Sequence, residues 1–133
     1  MSTPTVTHLN PPGLHTNPAF SQGTITETGR TLYVGGQNGT DADGAIVEGG
    51  IAAQSAQALR NVLAVLDAAG AGPADVARLA IYLDPEADLM EGFAAVGEVW
   101  GPHPAAVTVL RVGIAREGAL VEIEAVAALP ATT

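Results

Sequence analysis

The chain contains no cysteine, which removes disulfides, thiolate nucleophiles and cysteine-ligated zinc from consideration. Aromatic residues make up only 4% of the composition. That leaves little stacking surface for bases or sugars and disfavours RNA binding on an aromatic platform. Basic residues are also few, 5 against 14 acidic ones, for a formal charge of −9. A field of that sign repels the phosphate backbone, so no nucleic-acid partner is expected. No run approaches the roughly 20 apolar residues of a membrane span, and the opening MSTPTVTHLNPPG lacks both the basic and the apolar region of a secretion signal. No membrane partner is expected, and a soluble, cytoplasmic protein is the default. His8, His15 and His103 stand apart without ligand spacing, so no metal site is expected.

What is present is an aliphatic chain of 133 residues, 47% of them apolar. That length suits a single domain, residues 1–133, whose core is built from Ala, Val, Leu and Ile. Gly23 to Gln37 alternates apolar and polar residues around Thr28-Gly29-Arg30 and predicts a hairpin of two strands. His8 lies in a candidate first edge strand. Asn38 to Gly50 is rich in turn residues, and the glycosylation-like Asn38-Gly39-Thr40 reads as a turn. Ile51, Leu59, Val62, Leu63 and Leu66 then recur at helical spacing with Gly70 as a stop, a helix of about five turns. Val76 to Leu83 reads as a strand central to the sheet.

Asp84-Pro85 predicts the cap and first position of a second helix, with Leu89, Phe93, Val96 and Trp100 on one face and an end near Gly101-Pro102. Strands follow at Ala106 to Val112 and Ala119 to Leu129. The order β-β-α-β-α-β-β gives an α+β fold, a mixed sheet with both helices on one face. In the last strand Leu120, Glu122, Glu124 and Val126 point to one side, and Val121, Ile123, Ala125 and Ala127 to the other. The helices can hide only one side, so the opposite one is expected to pack on other subunits.

Four segments in order resemble the Rid (YjgF-like) family: Asn17-Pro18-Ala19-Phe20-Ser21-Gln22, Leu32-Tyr33-Val34-Gly35-Gly36-Gln37, Ala53 to Asn61, and Gly118-Ala119-Leu120-Val121-Glu122-Ile123-Glu124-Ala125. The last is the most specific. The resemblance implies a chorismate-mutase-like fold assembled as a homotrimer, with a small-molecule ligand at the subunit interfaces. It also implies hydrolysis of reactive enamines and imines without a bound cofactor. In such enzymes an arginine on the fifth strand grips a substrate carboxylate, and a glutamate on the last strand positions or activates water.

Here Glu122 matches that glutamate, and a gapless count through Gly118 places Val107 where the arginine would stand. Phe20, Gly35 and Gly97 replace residues common in the family as tyrosine, serine and asparagine. The resemblance therefore implies a more apolar, less charged ligand than the aminoacrylate type. Glu122 is the catalytic candidate. Phe20, Gly35, Gln37, Gly97, Val107, His15 and Glu124 are the pocket candidates, with Glu122 and Glu124 alternatively paired to Arg111 or Arg78 at a strand rim. A non-catalytic binding or interaction module is the alternative function. Endoribonuclease activity, an old family label, is opposed by the charge of −9 and the scarcity of aromatics.

Overall fold

A computed structural model describes residues 3–131. In chain order the elements are β1 (Val6–Leu9), β2 (Gly23–Thr26), β3 (Thr31–Gln37), α1 (Gly50–Ala68), a short 3-10 helix (Pro73–Asp75), β4 (Val76–Leu83), α2 (Leu89–Trp100), β5 (Ala106–Arg111) and β6 (Val121–Ala128). Four strands form the main sheet in the order β3-β6-β4-β5. β6 runs antiparallel to both its neighbours, and β4 and β5 are parallel, joined by α2 as the crossover. The expected mixed sheet is present, with β4 and β6 central.

The expected hairpin between Gly23 and Gln37 does not form. β2 pairs instead with β1, Val6 opposite Thr26 and Leu9 opposite Gly23. The pair is pinned away from β3 by side-chain bonds: the Thr24 hydroxyl donates to the Ala77 carbonyl, the Ser21 hydroxyl to the Pro104 carbonyl, and Thr5 to Asp75. Alternation identified both strands but not the partner, because β1 offered β2 an equally good ladder. β3 is thereby left as an outer strand of the main sheet.

α1 runs for 19 residues, about five turns as expected. It starts at Gly49, whose φ of 115° favours glycine and where a Cβ would stand 2.7 Å from that of Ala53. It stops at Gly70, with the Ala69 and Ala71 amides donating to Leu66. Asp84 does not cap α2. Its carboxylate accepts from the Glu86 amide in a turn closed by Ala87 N–H to Asp84 C=O, with Pro85 second in that turn. The cap is Asp88, which accepts from the amides of Met90 and Glu91.

The core lies between the helices and one face of the sheet. Val121, Ile123, Ala125 and Ala127 of β6 and Leu79, Ile81 and Leu83 of β4 are buried against Leu59, Val62 and Leu66 of α1. Each fully buried Leu or Ile contributes about 1.5–3 kcal/mol. α2 approaches α1 closely at Gly92, where a Cβ would stand 3.4 Å from Ile51. The opposite face of the sheet carries Tyr33, Arg78, Ala80, Tyr82, Thr108, Leu110, Glu122 and Glu124, and among the described residues no element covers it; Tyr33 is 75% and Leu110 51% exposed.

Candidate functional site

Glu122 sits on the open face of β6, opposite Tyr82 of β4. Two features hold its carboxylate. The Asn38 side chain donates to Oε1 at 3.2 Å and to the Val121 carbonyl at 3.1 Å. Asn61 of α1 donates in turn to the carbonyls of Asn38 and Thr40, so the loop carrying Asn38 is tied to the helix. On the other side the pairing of β3 with β6 slips between Val34 and Gln37, a bulge made by Gly35-Gly36. A Cβ on Gly36 would stand 2.2 Å from Oε2 of Glu122. The carboxylate thus lies directly over backbone that only glycine leaves bare, its Oε1 spoken for and its Oε2 turned to that bare backbone.

Glu124 shares this face, but its carboxylate accepts from the Tyr82 hydroxyl at 2.5 Å. That hydrogen bond, joined by burial and by the negative charge, raises the Tyr82 phenol above its usual value. The arginines considered as alternative partners of the two glutamates have hydrogen-bond partners elsewhere. Arg78 donates to Thr108, and Arg111 donates to the carbonyls of Pro85 and Ala87, fastening the loop before α2. Gln37 donates to the Gly35 carbonyl, closing the bulge. Gly35 lines a shallow depression with Tyr33, Arg78 and Glu124.

The remaining candidates lie elsewhere. Val107 pairs with Leu79 and points to the helix side of the sheet, whereas Glu122 points to the open side. The two are separated by the sheet itself and by two strand spacings, roughly 10 Å. The resemblance expects both at a pocket between subunits; within a single chain they lie apart, and an arginine at 107 would project away from the Glu122 of its own chain. The β5 residues on the Glu122 face are Ala106, Thr108 and Leu110, and no residue from 103 to 110 is arginine.

Val107 instead joins Phe20, Phe93, Val96, Gly97 and Trp100 around a cavity of about 380 Å³ beneath α2, floored by Leu79, Ile81 and Val109. Phe20 and Gly97, two further pocket candidates, are therefore with Val107 and not with Glu122. His15 stands edge-on to Phe20 with ring centroids 5.9 Å apart, close to the mouth of this cavity. Trp100 and Phe93, read from sequence as helix packing, also form its walls. Among the described residues no group of three His, Asp or Glu stands close enough to hold a metal ion, and no helix is long and apolar enough to cross a membrane.

Sequence reasoning missed Asn38, Gly36 and Tyr82 as neighbours of the carboxylates. A glycine pair inside a strand signals close approach, but not of what. Nothing local marks a turn asparagine as the partner of a residue 84 positions later.

The chain matches the model of the family described as Endoribonuclease L-PSP over residues 13–129. It is 36% identical over 115 residues to the rat protein named 2-iminobutanoate/2-iminopropanoate deaminase, covering 82% of this chain and 79% of the rat protein. It is 33% identical over 113 residues to Protein DfrA of Myxococcus xanthus, covering 81% and 83% of the two chains. Among solved structures it is similar to YyfB of Yersinia pestis, described as a protein of unknown function of the conserved Rid family, with a TM-score of 0.82 and 34% identity over 94% of this chain and 99% of that one. RidA of Psychrobacter matches with a TM-score of 0.63 and 30% identity over 90% and 94%. The motifs around Glu122, the β3-β6-β4-β5 sheet and these likenesses agree: the chain belongs to the Rid (YjgF-like) family.

Proposed function

We propose that the protein hydrolyses a small, reactive imine or enamine to the carbonyl compound and ammonia, with Glu122 handling water. The observation that carries this reading is the Glu122 carboxylate, positioned by Asn38 and lying over the bare Gly36 backbone. An enamine first gains a proton on carbon to become the imine. Glu122 takes a proton from water as the oxygen adds to the imine carbon and passes it to the nitrogen as the C=N π bond breaks, giving the carbinolamine. The carboxylate then moves the hydroxyl proton to the amino nitrogen as the C–N bond breaks, so that the C=O bond forms, ammonia leaves and Glu122 is restored. Relatives named imine deaminases support the reaction class.

The two groups of candidates belong to opposite ends of the sheet: Gly35 and Glu122 on the β3-β6 side, Phe20, Gly97 and Val107 on the β5-α2 side. A small ligand meets both only if a second copy brings its β5 edge to the Glu122 face. Such a head-to-tail contact closes into a ring, the homotrimer with a ligand at each interface. Without an arginine between 103 and 110, the site forgoes a charged fork worth about 2–5 kcal/mol toward a carboxylate. Aminoacrylate-type substrates are therefore turned over poorly, and less charged ones are favoured.

The test is ammonia release from freshly generated imines. Glu122→Gln is expected to lower kcat by about 10²–10⁴-fold with an unchanged melting temperature; equal rates would remove the glutamate from the mechanism. Val107→Arg, on the wall of the cavity that the ligand shares with Phe20 and Gly97, is expected to gain activity on aminoacrylate, whereas Ala106→Arg, on the other face of its strand, is not. The missing arginine also favours a second reading, a trimeric binder without chemistry. Thermal-shift hits that are bound but never converted would replace the first reading by that one.

A further inference from the structure

We propose that the cavity beneath α2 is a subsite for the bulky apolar part of a small ligand, an aryl or branched alkyl group. The inference names the side-chain class for the reading above, and rests on that reading only for the ligand's reactive end.

Four observations converge on it. The chain has five aromatic residues, and three of them, Phe20, Phe93 and Trp100, line this one space. Elsewhere the interior is closed, with Leu59, Val62, Leu66, Val121 and Ile123 at 0% exposure, whereas well-packed cores leave few voids larger than water. The volume, about 380 Å³, is more than twice the roughly 150 Å³ of an engineered apolar cavity that binds benzene. A single leucine or phenylalanine inserted from a second copy would leave much of it empty; a ring with a short linker fills it. No lining residue carries an ionisable side chain, so a charged group would enter without a partner.

Gly97 is the fourth observation. Glycine inside a helix is unfavourable relative to alanine, and here no close contact demands it: a Cβ at this position would meet nothing within 4 Å. Gly92, on the same helix, differs, since a Cβ there comes within 3.4 Å of Ile51. At 97 the absent side chain leaves room along the cavity wall. The floor is deep, with Leu79 and Ile81 at 2% and 4% exposure, while Phe93, at 41%, reaches solvent at the rim. The ligand's apolar end points down onto the sheet and its polar end remains at the mouth, beside Phe20 and His15.

Trp100 is the sole tryptophan and forms a wall, so its fluorescence reads occupancy directly. The probe is 4-bromobenzyl alcohol, whose heavy atom quenches indole on contact, compared with 2-bromoethanol. The intact protein is expected to show saturable quenching at least tenfold tighter for the aryl probe. Gly97→Leu and, from the opposite wall, Val107→Phe are each expected to weaken it at least tenfold, melting curves confirming that both variants fold. Glu122→Gln is expected to bind the probe as the wild type does. Linear, unsaturable quenching, or equal binding by a folded filled-cavity variant, overturns the subsite. Turnover with no preference for bulky over small imines also overturns it while leaving the hydrolytic reading intact. Saturable quenching without any turnover supports the subsite and removes the hydrolytic reading.

Discussion

The two faces of the one sheet are made by the same strands, residue alternating with residue, yet they do opposite things. On the helix side β6 presents Val121, Ile123, Ala125 and Ala127, all buried; on the open side it presents Glu122, Glu124 and Val126. The first set has a cover inside the chain, α1 and α2. The second has none among the described residues, and its carboxylates share the open face with large exposed side chains, Tyr33 of β3 and Leu110 of β5. A period of two thus separates stability from chemistry along a single strand. It also explains why Val107 and Glu122, close to family pocket positions in the linear sequence, end up on different sides of the protein.

The largest effect that would break this comparison is thermodynamic. Ile123→Ala removes side-chain volume from a site with 0% exposure and is expected to cost about 2–5 kcal/mol in denaturant unfolding, whatever the protein concentration. Leu110→Asp, on the open face opposite Tyr82, is expected to act through assembly instead. Its deficit relative to wild type should grow with protein concentration, because partner binding stabilises by mass action, and sedimentation should show a smaller species. Equal, concentration-independent losses at the two positions would mean that the faces do not differ in kind.

The next effect is catalytic and sharpens what the open face does. Gly36→Ala places a methyl where Oε2 of Glu122 now lies, so the carboxylate must swing away from Asn38. A displacement of about 1 Å costs up to roughly 10²-fold in rate. The expected result is a fall in kcat of about that size with the melting temperature little changed, measured by ammonia release. Gly35→Ala is the control, since a Cβ there meets nothing within 4 Å; its kcat should stay within a few-fold of wild type.

These contrasts also show how far the sequence could be read. Periodicity located α1, α2, β4 and β6 and assigned the two faces of β6, because burial imposes a period that the chain cannot conceal; it misplaced only Leu120, which precedes the strand and packs against the core instead of standing beside Glu122. It failed where the deciding interaction is long-range and polar. β2 was drawn to β1 by hydroxyls that bond to Ala77 and Pro104. The cap of α2 moved from Asp84 to Asp88 because the Asp84 carboxylate was already engaged by Glu86 within its own turn. At the site, Glu122 was legible from its motif, while Asn38 and Tyr82 were not, since their roles follow from strand register and loop docking. The grouping of Phe20, Gly97 and Val107 was legible as a set of substitutions. Its physical meaning, a shared apolar cavity on the far side from the carboxylate, required the fold.

The smallest effect concerns the pair Tyr82–Glu124, which distinguishes the two glutamates of the open face. Glu124 accepts a hydrogen bond from the Tyr82 hydroxyl, and the ionised phenol would lose that bond and meet a negative charge, so the Tyr82 pKa is raised above its ordinary value. A raised folded-state value means that this contact's contribution to stability is fully present below the unfolded pKa and is lost as pH rises through the higher folded one. It is therefore constant at neutral pH and disappears only in alkali. In a Tyr33→Phe background, where Tyr82 is the remaining tyrosine, phenolate absorbance should titrate above the ordinary tyrosine range. Adding Glu124→Gln should bring the midpoint down, since the neutral amide removes the repulsion and weakens the acceptor. The Glu122→Gln change should move it less, because the direct hydrogen bond to Glu124 is the largest cause of the shift and the Glu122 charge the smallest. If the two substitutions lowered the midpoint equally, the division of labour between a structural Glu124 and a reacting Glu122 would have to be abandoned.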